Sequence, residues 1–177
     1  MPGTTRSRKK AARGSSIVSS SHLVSPRSAE LSEFEFGLIV AWNAFSRWAV
    51  RCMAAAGVGE LTITDVLLLH HVNHRARNKK LADICFVLNY EDTHVVAYSL
   101  KKLVAARLVK AEKAGKEVLY SPTPSGEAAV LEYRRVREQC LVESLDTELN
   151  APIGELARLL RTMSGMYDQA ARAASSL

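Results

Sequence analysis

The chain has 177 residues, enough for one domain of ordinary size, and 47 % of them are hydrophobic, enough to fill a core. It holds no run of about 18 apolar residues, and no apolar stretch follows its basic first residues, so neither a transmembrane helix nor a secretory signal is expected. The net charge of +6 is unevenly placed: residues 1–28 carry six basic groups and no acid, residues 75–120 ten basic groups against five acids, and residues 121–177 six against eight.

Residues 1–28 are rich in Ser, Arg, Lys and Gly and poor in large apolar groups, which predicts a disordered basic tail, either a DNA-following arm or a plain solubilising segment. A single domain is expected over 29–177. From Leu31 to Ala56, Phe34, Leu38, Ala41, Phe45, Trp48, Cys52 and Ala55 recur three and four apart, the seam of a long helix that Gly57 and Gly59 end. Thr62 opens a second helix, with Asp65 three residues on as a capping-box pair, and the run Val66 to Leu69 marks it as buried. His70, His71 and His74 follow. His70 and His74 could face one metal ion, but no nearby acid or cysteine completes a set, so polar histidines at a helix end are the expected reading, with no metal and no cofactor.

Leu81, Ile84, Cys85 and Leu88 form one apolar stripe and predict a short helix over 81–88. Asn89 to Glu91 break it, and Asp92 or Thr93 can cap the next helix, over 92–106. There Val96, Leu100, Leu103 and Val104 turn inward, while His94, Tyr98 and Lys101, flanked by Ala97 and Lys102, take the opposite side. Leu108 to Glu112 and Glu117 to Ser121 read as two strands, and Lys113-Ala114-Gly115-Lys116 as their turn, with Gly115 able to supply a positive φ. The fold class expected is therefore mainly α with a small β-hairpin wing: a winged helix-turn-helix over 62–124, with its wing at 108–121.

Thr123 suits an N-cap with Pro124 at the first helical position. The helix from there is expected to run through Tyr133 and Cys140 towards Leu145, until Asn150-Ala151-Pro152 interrupts it. A last helix is expected from Ile153, with Ile153, Leu156, Leu160, Met163, Tyr167, Ala170 and Ala174 on one stripe. The stripes in 31–56 and 124–175 either cover their own core or build a two-fold dimer. Cys52, Cys85 and Cys140 are odd in number and without CxxC spacing, which fits reduced thiols of a cytoplasmic protein.

Several of these residues resemble a known family. Leu61-Thr62 at the second helix, Leu103 to Val109 leading into a basic hairpin, and Thr123-Pro124-Ser125-Gly126 at its exit are similar to MarR-type transcription regulators, over about residues 31–175. The run from His70 to Arg75 leading into Lys80 to Cys85 looks like a divergent subgroup of them. The chain departs from the pattern at Arg107, where the family usually has Gly, at Pro122, where it has Leu, and at Gly115 and Glu117, where its wing usually carries Asp and Arg. The resemblance implies a homodimer on a palindromic operator in double-stranded DNA, often released by a small-molecule effector.

The function expected is a dimeric, sequence-specific DNA-binding regulator. His94, Ala97, Tyr98 and Lys101 would face the bases, and Thr93, Lys102, Lys113 and Lys116 would hold phosphates. The alternative is a winged-helix module that binds protein, favoured by the lack of an arginine in the recognition helix before Arg107. No nucleophile elbow, phosphate-cradling glycine loop or HExxH motif occurs, so an enzyme is not expected.

Overall fold

The structure, a computed structural model, describes residues 24–177. Most of the basic tail expected over 1–28 thus lies outside the described residues. The described residues divide into two compact units, 24–49 and 50–177. The first contains most of helix α1 (Ala29–Ala55), where Phe36, Leu38, Ile39, Trp42 and Phe45 are exposed and the rings of Trp42 and Phe45 lie 6.0 Å apart.

The second unit opens on the end of α1, where Gly57 at φ 89 turns the chain out of the helix. Helix α2 (Ile63–Asn73) starts on the expected capping box: Thr62 Oγ1 accepts from the Asp65 amide and the Asp65 carboxylate accepts from the Thr62 amide. Strand β1 (Lys79–Lys80) precedes α3 (Leu81–Leu88), which stops at Asn89. Asn89 has φ 56, a left-handed conformation that asparagine tolerates better than most residues. Helix α4 (Thr93–Ala105) is capped by Asp92, whose Oδ1 accepts from the His94 amide at 2.8 Å.

Strands β2 (Val109–Ala114) and β3 (Glu117–Pro122) form the hairpin. They are longer than the sequence suggests, because Ala114 pairs with Glu117 and leaves only Gly115-Lys116 as the turn. The sheet has three strands in the order β1-β3-β2, so the two-stranded wing expected gains Lys79 and Lys80, paired with Tyr120 and Leu119.

Helix α5 (Pro124–Arg137) begins at the Thr123 cap and ends sooner than expected. A π-helical turn (Glu138–Val142) replaces its continuation towards Leu145, and a 3₁₀ turn (Thr147–Leu149) follows. Helix α6 (Asn150–Ala174) then starts before Pro152 instead of after it. Pro152 sits in the first turn, where its missing N–H has no intrahelical partner to lose, so it does not interrupt the helix.

The core of this unit joins Met53, the inner side of α2 (Val66, Leu68, Leu69, Val72), Ile84 of α3, Val96, Leu100 and Leu103 of α4, and Tyr133 and Val136 of α5. Helix α2 packs on α4 and α5, and α3 on α4. Each leucine fully buried there contributes about 1.5–3 kcal/mol. Among the described residues no helix is long and apolar enough to cross a membrane, and no group of three metal-ligating side chains comes together.

Candidate nucleic-acid interface

Helix α4 fixes the outward face by what it buries. Val96, Ser99, Leu100 and Leu103 are buried, so the opposite side carries Thr93, His94, Tyr98 and Lys101, all exposed, with Ala97 half-buried beside them. His94, Tyr98 and Lys101 follow one another at four and three residues, one line along the helix. Tyr98 is 75 % exposed, so among the described residues nothing covers its ring. Val95, exposed beside this line, was missed by sequence reasoning because its apolar side chain resembles the buried positions around it.

Lys102 is placed differently from the other expected contacts. Its ammonium lies 2.8 Å from Asp65 Oδ2 and donates to the Glu60 carbonyl at 2.6 Å, so it faces the start of α2. Asp65 is buried and also accepts from the Ser99 hydroxyl and the Thr62 amide. Burial pushes its carboxyl up, but the hydrogen bonds from Lys102, Ser99 and Thr62 outweigh that and hold it below its ordinary value. Asp65 thus caps α2 and locks α2 to α4 at once.

At its far end α4 is closed by backbone. The amides of Ala106 and Leu108 bond back to the carbonyls of Lys102 and Leu103, while Arg107 takes φ 58. This is a left-handed helix stop, and it explains why glycine suits the position that Arg107 fills. The Thr123 hydroxyl donates to the Arg107 carbonyl at 2.6 Å and accepts from the Gly126 amide. A Cβ on Gly126 would run into the Leu108 carbonyl oxygen, so the Thr-Pro-Ser-Gly run is a close crossing of α5 over the start of β2.

In the wing, Lys113 and Lys116 are exposed at the hairpin end. Lys110 is paired with Glu112 at 2.8 Å, and Glu117 with Lys80 at 2.6 Å across the sheet. Glu117 therefore ties the wing to β1. Cys52 and Cys85 are buried, and burial raises both thiols, which disfavours the reactive thiolate.

Residues 61–126 match the winged helix DNA-binding domain family. No curated protein is significantly similar to the chain in sequence. In structure it is similar to reduced AbfR of Staphylococcus epidermidis bound to DNA, with a TM-score of 0.63 and 16 % identity over 77 % of this chain and 95 % of that one. By fold this region is a winged helix. The fold is also similar to that of a MarR/EmrR family transcriptional regulator from Acinetobacter sp. ADP1, with a TM-score of 0.59 and 16 % identity over 77 % and 96 % of the two chains. It is similar as well to that of BpsR of Bordetella bronchiseptica, whose DNA binding is regulated by 6-hydroxynicotinic acid, with a TM-score of 0.53 and 22 % identity over 71 % and 91 %.

Proposed function

We propose that the protein is a dimeric, sequence-specific DNA-binding transcription regulator, with α4 in the major groove and the wing along the sugar-phosphate backbone. The observation that carries this reading is the uncovered line of His94, Tyr98 and Lys101 on a helix whose other side is fully buried. The match to a winged helix DNA-binding domain and the likeness to DNA-bound AbfR support it. His94, Ala97, Tyr98 and Lys101 meet base edges, and Val95 offers an apolar contact suited to a thymine methyl. Thr93, Lys113 and Lys116 contact phosphates. Lys102 supports the site from behind through Asp65.

Two copies are proposed to associate through 31–56 and 124–175. Helix α6 supports this: none of its residues is buried, yet Ile153, Leu156, Leu160 and Met163 form an apolar stripe along it. By analogy with BpsR, a small-molecule effector is proposed to modulate DNA binding.

The test is binding of the full chain to duplexes selected from random sequence, over a salt series. Lys113→Ala and Lys116→Ala should weaken all sequences alike and flatten the salt slope by about one unit per lost contact. Tyr98→Ala and His94→Ala should change which sequence is selected. Unaltered affinity and selection in all four variants would rule the assignment out. One observation favours the protein-binding module instead: α4 holds no arginine, the commonest guanine reader. A chain that heparin does not retain in a salt-dependent way would support that module.

A further inference from the structure

A second feature lies away from the exposed line of α4, where the end of α2, the segment 74–79 and the outer side of α3 enclose a cleft of about 610 Å³. That volume falls within the roughly 300–1,000 Å³ of small-molecule sites. Its rim carries Arg75 and Arg77, and neither guanidinium has an ion-pair or hydrogen-bond partner among the described residues. Its wall is formed by Phe86, 86 % exposed, and Val87, 61 % exposed.

The cleft is built by its own residues. Lys79 is buried at its back, where its ammonium donates to the carbonyls of Val72, His74 and Arg77 at 2.9, 2.5 and 3.4 Å. Those bonds draw the segment's carbonyls inward, and Arg75 is held at φ 61 and ψ 28, in the left-handed region. No carboxylate pairs with Lys79 among the described residues, so carbonyl dipoles alone offset its charge. The fixed charges lining the cleft are Arg75, Arg77 and Lys79 against Asp83, a surplus of two positive charges. His71 and His74 line the same cleft.

We infer that this cleft binds a small phosphate monoester carrying a flat ring. The surplus matches a phosphate monoester, which holds roughly 1.5 to 2 negative charges near neutral pH, better than a monocarboxylate. Guanidinium groups meet phosphate oxygens in a bidentate fork. Phe86 supplies the face on which the ring stacks. The inference does not depend on α4 reading DNA.

Calorimetric titration of the full chain with phenyl phosphate, inorganic phosphate and phenol tests it. Phenyl phosphate should bind saturably, and phenol should not. Arg75→Gly, which suits the left-handed backbone, and Arg77→Gln should each weaken phenyl phosphate about tenfold. Phe86→Ala, at an exposed position, should weaken phenyl phosphate but leave inorganic phosphate unchanged. Absence of saturable binding, or equal affinity in the doubly substituted Arg75→Gly/Arg77→Gln chain, would overturn the inference. So would weakened duplex binding in that chain without any response to phenyl phosphate, which would make the segment a DNA backbone contact.

Discussion

Arg107 adopts a backbone conformation that costs an L-residue with a Cβ about 1 kcal/mol or more and costs glycine nearly nothing. Arg107→Gly should therefore be neutral to stabilising by up to about 1 kcal/mol, once the greater freedom of glycine in the unfolded chain is subtracted. Urea unfolding midpoints would read this directly. At Gly126 the sign reverses, because any Cβ meets the Leu108 carbonyl. Gly126→Ala should cost about 1–3 kcal/mol, the range for forcing extra volume into a packed site, and a melting temperature equal to the native chain's would refute the close crossing.

Asp65 adds a pH dependence at this same scale. Its carboxyl is held low in the folded chain, so its contribution to stability is complete above the unfolded value of about 4 and is lost as pH falls through the lower folded value. Burial also lowers His70, whose ring meets Tyr133 edge-on at 4.4 Å, and His71. The unfolded chain therefore takes up protons that the folded one resists, and stability should begin to decline as pH drops through about 6.5. Asp65→Asn should cost about 2–3 kcal/mol at neutral pH, since it strips the charge from a buried acceptor shared by three donors. It should also flatten the acid limb of a stability curve.

Among the elements, periodicity located α3 and α4 within a residue or two, because each has one buried side, while α2 was marked by its Thr62–Asp65 capping pair and its apolar run. The same pattern made the exposure of His94, Tyr98 and Lys101 legible. It could not reveal β1, where two lysines with no alternation become a strand only because β3 offers them a partner. Nor could it mark the end of α5, since the π-helical turn at Glu138–Val142 keeps an apolar spacing that reads as continued α-helix. Lys102 lay beyond reach for another reason. Its position on α4 borders the outward face, and only the approach of Asp65 from α2 draws it in. Exchanging Lys102 for Ala should accordingly lower stability by about 1–3 kcal/mol and leave the salt slope of DNA binding unchanged, unlike Lys113→Ala. A slope that flattens by one unit would return Lys102 to the phosphate contacts.

For the molecule as a whole, the exposed stripe of α6 makes its assembly state measurable. Leu156→Arg with Met163→Glu should convert the proposed dimer to a monomer in sedimentation and weaken binding to the proposed operator at least a hundredfold, because two linked half-sites would become one. A chain that stays monomeric before substitution would end the two-fold reading. The tie from Lys102 to Asp65 and the backbone stop at Arg107 have a consequence for recognition itself. They clamp the last turn and the C-terminal end of the proposed reading helix to the rest of the fold before any duplex arrives. Association then requires little ordering of that helix, so its heat-capacity change should be that of rigid surfaces meeting, well short of what coupled folding would produce.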